Sequence, residues 1–157
     1  HKQTGEVFAE AVATMTRLNR GAAGDAVAAG VRAATDVTGF GLLGHLDEML
    51  IASKVSAKVN HLQVPVMTGA AELTDLEIIP GGTKNNMDYS DNFVAWGEKI
   101  SGKYKVLLND AQTSGGLLYS IPDQFANDFI EKLAKQGLLA KKIGKVTKST
   151  ETEISVE

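Results

Sequence analysis

The sequence predicts an α/β chain, a layered sandwich in which helices pack on a mixed β-sheet. Three observations carry this. Stretches of helical period alternate along the chain with short apolar or strictly alternating runs. No internal repeat, low-complexity tract or Pro/Ser-rich linker divides residues 1–157, so the prediction is a single domain. Hydrophobic residues make up 43% and charged residues 22%, the balance of a chain that buries an ordinary core.

Each element follows from local pattern. From Thr4 to Asn19, apolar residues at Val7, Phe8, Ala11, Val12, Met15 and Leu18 recur at helical spacing. Gly21 and Gly24 end that pattern, and Asp25 is placed to cap a short second helix through Gly30. Val31 to Val37 reads as a short buried strand. Leu42 to Lys54 reads as an amphipathic helix with Leu42, Leu43, Leu46, Met49 and Leu50 inward and Asp47 and Glu48 facing out. "VSAKVNHLQV" alternates over Val55, Ala57 and Val59, a strand with one buried face. "TGAAELTDLEI" predicts a helix and "IPGGTKNN" a loop, while "NFVAWGEKI" fits helix or strand. "KYKVLLND" predicts a strand, "AQTSGG" breaks it, and "LLYSI" resumes it. Pro122 opens a helix over "PDQFANDFIEKLAKQG", with Gly137 as its stop. "KKIGKV" and "TEISVE" predict two final short strands.

Composition removes several classes of function. There is no cysteine, hence no disulfide, thiolate metal site or cysteine nucleophile, and the expected location is cytoplasmic. No apolar run is long enough to span a membrane. "HKQTGEVFAE" holds no apolar signal core, and a chain that opens on His1 rather than Met reads as a piece of something longer. A net charge of -3 and a pI near 5.6 argue against a general nucleic-acid surface. The lysines of "LAKQGLLAKKIGKVTK" alternate with apolar residues, as on the solvated face of a helix and a strand.

The chemistry points to glycine-rich loops. Gly39, Gly41 and Gly44 follow a strand, Gly81 and Gly82 follow a helix, and Gly115 and Gly116 interrupt a strand pair. Polar side chains accompany each group: Thr38; Thr83, Asn85 and Asn86; Gln112, Thr113 and Ser114. Glycine admits positive φ and close approach of a ligand to backbone N–H groups, and a following helix N-terminus favours phosphate. Each loop taken alone reads first as a tight turn, a reading that three loops of the same polar chemistry weaken. Asp36 closes a strand where an unpaired carboxylate is costly, so it either caps the turn through the N–H groups of Thr38 or Gly39 or binds a cation. Asp110 has a similar position, and magnesium takes one or two carboxylates plus phosphate oxygens. His45 fits a general base, or a partly buried residue hydrogen-bonded to a neighbouring loop. His61 and His1 are too scattered for a metal-ligand spacing. No P-loop exists, and "GFGLLG" lacks the acidic residue at the distance a dinucleotide-binding fingerprint requires.

"TDVTGFGLLGHL" (Thr35 to Leu46), "IPGGTKNN" (Ile79 to Asn86) and "NDAQTSGGLL" (Asn109 to Leu118) resemble the C-terminal domain of selenophosphate synthetase, also known as selenide, water dikinase. "MTRLNRGAA" (Met15 to Ala23) is similar as well. The four blocks come in the family's order and together span almost the whole chain. The family sits in a wider group of ATP-using enzymes that resemble aminoimidazole ribonucleotide synthetase. The resemblance implies ATP, selenide and water converted to selenophosphate, AMP and orthophosphate, with Mg2+ required. It also implies a two-domain, homodimeric parent whose N-terminal catalytic domain is missing from this chain. Of the family's magnesium-binding aspartates, the one in its "TDVTG" motif matches Asp36. The others, the catalytic cysteine or selenocysteine and the essential lysine belong to the N-terminal domain. No catalytic residue is therefore expected here, and the fragment alone is expected to be inactive. Thr38, Gly39, Gly41, Gln112, Thr113, Ser114, Gly115 and Gly116 would shape the phosphate-side wall. In the loop the family writes "DPQTSGG", Ala111 replaces Pro, which frees φ, restores an N–H and predicts a more mobile loop. The alternatives are a sister enzyme of the same fold, of thiamine monophosphate kinase or hydrogenase maturation type, and a non-catalytic binding module.

Overall fold

A computed structural model describes residues 2–148 and 154–157. His1 lies outside the described residues, as do Thr152 and Glu153 of the last predicted strand. The order is α1 (Lys2–Thr16), α2 (Arg20–Ala28), β1 (Ala33–Asp36), α3 (Gly41–Ser53), β2 (Val55–Val59), a 3-10 turn (His61–Gln63), α4 (Ala70–Asp75) and α5 (Gly81–Ser90). Then follow β3 (Val94–Trp96), α6 (Gly102–Leu108), β4 (Leu117–Ser120), α7 (Asp123–Ala134), β5 (Gly144–Lys148) and β6 (Ile154–Val156). The strands form a four-stranded sheet ordered β3-β6-β2-β5 and a separate β1-β4 ribbon. β6 runs parallel to β2 and β3, whereas β5 is antiparallel to β2, so the sheet is mixed as expected.

Helix α3 organises the larger core. Leu42, Leu43, Leu46 and Leu50 turn one stripe toward Ala57 and Val59 of β2, Val94 of β3, and Ile154 and Val156 of β6. Leu43 is fully buried, and Leu108 of α6 joins the same cluster. The helix stops at Lys54, which adopts the left-handed conformation at φ 53°. Asp47 corrects the predicted outward face: it is 5% exposed. Burial raises its carboxyl above the ordinary value, and the neighbouring Glu48 charge adds to the rise. A smaller cluster joins Ala26 of α2 to Phe129 and Leu133 of α7, with Tyr119 and Ile121 packed against it. This cluster sets α2 against the β1-β4 ribbon.

Three other local expectations change. Gly21, Gly24 and Asp25 lie inside α2 rather than before it, and Asp25 pairs with Lys132 and Gln136 instead of capping. "IPGGTKNN" is not a loop: from Gly81 it is the first part of α5, starting behind an extended Pro80. "KYKVLLND" is not a strand but α6, because a short apolar run carries no period that separates a strand from a buried helix. Gly115 and Gly116 accordingly lie between a helix and a strand, not within a strand pair.

Candidate functional site

Strand β1 delivers Asp36 to the edge of a loop that the next residues lock in place. Val37 N donates to Gly116 O at 2.9 Å, and Gly115 N donates to Val37 O at 3.0 Å. The carbonyl of Thr38 accepts from both Gln112 N and Gly41 N, each at 3.0 Å. Loops 36–41 and 112–116 are thus zipped together through their backbones. Only glycine permits this closeness at two positions. A Cβ on Gly41, which sits at φ +70°, would lie 2.8 Å from the Asn109 carbonyl carbon. A Cβ on Gly115 would run into Val37 O and Gln112 Oε1.

The third glycine group joins through α5. Asn86 Nδ2 donates to Gly39 O at 2.9 Å and to Asn109 O at 3.0 Å, bridging the first loop and the end of α6 that leads into the second. Fully buried Thr83 donates its hydroxyl to Asp110 Oδ1 at 3.1 Å and accepts from Ala111 N at 3.1 Å. The N–H that alanine restores at position 111 therefore has a partner on α5. Burial raises the Asp110 carboxyl above the ordinary value, opposed by the Thr83 hydrogen bond.

His45 is buried one turn into α3, with both ring nitrogens engaged. Nε2 lies 3.0 Å from Thr38 Oγ1 and Nδ1 lies 3.0 Å from Glu48 Oε2. The tautomer that satisfies both contacts carries its proton on Nδ1, toward the carboxylate, so that Nε2 accepts the Thr38 hydroxyl. This fixes Thr38 by side chain as well as by backbone. Phe40 lies tilted against the imidazole, 5.6 Å between ring centroids. His61, by contrast, belongs to the 3-10 turn and binds Glu157 O, outside this cluster.

Asp36 differs from the expectation of a costly buried carboxylate. It is exposed, opposite Leu117 in the ribbon, and its carboxylate has no hydrogen bond or ion pair among the described residues. It lines a concavity of about 480 Å³ between α2 and the ribbon, together with Asn19, Arg20, Thr35, Leu117 and Tyr119. Asn19 Nδ2 donates to Gly115 O at 2.9 Å, tying the start of α2 to the glycine loop. Thr113 and Ser114 are exposed at the tip of that loop, Ser114 at φ 51°. Among the described residues no three His, Asp or Glu side chains gather as a metal centre. A lone hard carboxylate without a partner fits one ligand of a magnesium ion whose other ligands come from elsewhere.

The structure thus brings Asp36, Thr38, Gly39, Gly41, Asp110 and the Gln112–Gly116 loop into one wall, with His45 behind it. Sequence reasoning missed what Asn19 and Asn86 contribute. Asn86 stood beside a glycine pair and Asn19 in the Met15–Ala23 block, but their partners lie far along the chain.

Known proteins match this architecture. The selenide, water dikinase of Carboxydothermus hydrogenoformans is 41% identical over 133 residues, covering 85% of this chain and 38% of that protein. The selenide, water dikinase of Citrifermentans bemidjiense is 42% identical over 149 residues, covering 95% of this chain and 43% of that protein. The chain therefore spans about two fifths of the length of these curated relatives. Among solved structures, the thiamine-monophosphate kinase of Stenotrophomonas maltophilia shares the fold, at a TM-score of 0.56 and 16% identity over 81% of this chain and 31% of that one. The family described as AIR synthase related protein, C-terminal domain, matches residues 2–157, and the chain belongs to it.

Proposed function

We propose that this chain is the C-terminal part of a selenide, water dikinase and supplies one wall of its magnesium–ATP site. The parent reaction converts ATP, selenide and water to selenophosphate, AMP and orthophosphate. One observation carries the reading: the three glycine-rich motifs, far apart in sequence, are tied by hydrogen bonds into a single wall beside an unpartnered Asp36. The names and identities of the relatives support it. In this reading Asp36 ligates Mg2+, which neutralises charge on the phosphates, and the remaining ligands and the nucleophile lie on an N-terminal domain. Thr38, Gly39, Gly41 and Gln112 to Gly116 face the phosphates, and His45 holds Thr38 in position. The reading includes a cytoplasmic, homodimeric parent.

A sister ATP-dependent kinase is the second reading, supported by the thiamine-monophosphate kinase fold alone. A binding module without chemistry is the third. Binding of a non-hydrolysable ATP analogue to the full-length protein, with and without Mg2+, separates the two enzyme readings from the module, and selenide dependence of AMP formation separates the first from the second. Asp36→Asn is expected to weaken the magnesium-dependent component at least tenfold, about 1.4 kcal/mol. Equal binding by mutant and wild type would remove the metal assignment. Selenide-dependent AMP formation is expected from the full-length protein and none from residues 1–157 alone. Turnover by the isolated chain would overturn the division of the site between two domains.

A further inference from the structure

We infer that the concavity beneath α2 seats an extended segment of the same protein from outside residues 1–157, which pairs with the open edge of β1 as a third strand of the ribbon. The inference rests on the reading above, in which the rest of the protein completes the site, and adds the surface through which the two parts meet.

Shape comes first. Side chains alternate between the two faces of a strand, so a space bordered by three consecutive residues reaches round its edge. Ala34, Thr35 and Asp36 all line the concavity, whereas β4 contributes only the alternate residues Leu117 and Tyr119. Ala34 is opposite Tyr119 in the ribbon and Asp36 opposite Leu117. The space therefore lies along the face these four residues share and opens round the edge of β1.

Backbone comes second. Val37 N donates across the ribbon to Gly116 O, so by the alternation of an antiparallel ladder Ala33, Thr35 and Val37 turn their backbone groups toward β4. Ala34 and Asp36 then point their N–H groups outward, where among the described residues no further strand meets them. An open edge of this kind templates the addition of a strand, and two strands alone are marginally stable.

Lining and source come third. Ala23, Ala26, Val27 and Val31 stand across from Ala34 and Leu117, and Val27 is 77% exposed. That surface suits apolar side chains at alternate positions of an extended chain, whose backbone also supplies the missing ladder bonds. The curated relatives indicate where such a segment comes from, because more than half of each one's length lies outside the part this chain matches. A segment of the same polypeptide has the high effective concentration of a tethered partner. Docked along β1, it runs past Asp36 and brings the rest of the protein to that carboxylate.

Thiol labelling of the full-length protein tests this, with each label mapped to its peptide by mass. Ala34→Cys and Val27→Cys, both at exposed positions of the chain described here, are expected to react roughly tenfold or more slowly than Glu131→Cys. Glu131 is an exposed α7 residue outside the concavity, and each rate is normalised to its value in denaturant. A photoreactive group attached through Ala34→Cys is expected to crosslink to a peptide of the same polypeptide outside residues 1–157. Melting midpoints check that each variant folds. Labelling at both positions as fast as at Glu131→Cys overturns the inference, as does a crosslink that joins two copies or stays within residues 1–157. Fast labelling in a protein that forms AMP with selenide overturns the docking and leaves the enzyme reading standing. Slow labelling with the expected crosslink, in a protein without that activity, upholds the docking and removes the enzyme reading.

Discussion

At the scale of the residue, Asp110 is the group whose chemistry is easiest to isolate. Its carboxyl is raised above 3.8 by burial, the Thr83 hydrogen bond only partly opposing the shift. Between 3.8 and the raised value, the folded chain keeps a proton that the unfolded chain has lost. Stability therefore falls as pH rises through that window, and the full penalty is present at neutral pH. Asp110→Asn removes the charge and keeps an oxygen to accept from Thr83. Its denaturation midpoint is expected to exceed the wild type's at pH 7, with the two curves converging once pH falls below 3.8; a constant offset across that range would count against the titration of Asp110 as the cause. Residue roles were the least legible part of the sequence. Thr83 and Asn86 stood out as polar neighbours of glycine, but nothing local says that one binds Asp110 and the other bridges Gly39 and Asn109. Asp36 was found, yet its exposure was not, because a four-residue ribbon strand alternates where a buried one was expected.

At the scale of the element, the glycines explain both the success and the failure of local reading. Strand β1 is shorter than the Val31–Val37 run and only half-buried. Helices α3 and α7, by contrast, follow directly from apolar period and stop signals, since each packs a stripe its own sequence writes. Helix α5 does not. Its opening Pro-Gly-Gly argues for a loop, and the helix is held by partners on the first glycine loop and at the end of α6. Helix α6 is equally dependent on context: Leu108 is 1% exposed, and only its place in the α3 core distinguishes it from a strand. The junction between these elements is Gly41. Gly41→Ala combines a left-handed backbone with a Cβ 2.8 Å from the Asn109 carbonyl carbon. The expected loss is about 2–4 kcal/mol, read from urea denaturation. A loss comparable to that of Gly39→Ala, where a Cβ meets open space, would show that the close approach is unimportant.

At the scale of the whole molecule, the sequence foretold a mixed sheet covered by helices but not its division into a four-stranded sheet and a separate ribbon. The division matters because the wall of glycine loops hangs from the ribbon, whereas the larger core belongs to the sheet and α3. The pairing of β6 also carries a kinetic consequence. Ile154 is in register with both Ala57 and Val94, so within the described sheet β3 has no link to β2 and β5 except through β6. Chain segments far apart must meet before any of those ladder bonds reward the loss of loop entropy. Refolding in stopped-flow experiments is expected to be slower than that of an all-helical chain of equal length. Removing the Ile154 side chain should slow the refolding limb as well as hasten unfolding; an effect confined to unfolding would mean that β6 docks only after the rate-limiting step. The three residues Ile154–Val156 are therefore the latch that joins two distant antiparallel strands and a third, otherwise unattached one into a single sheet.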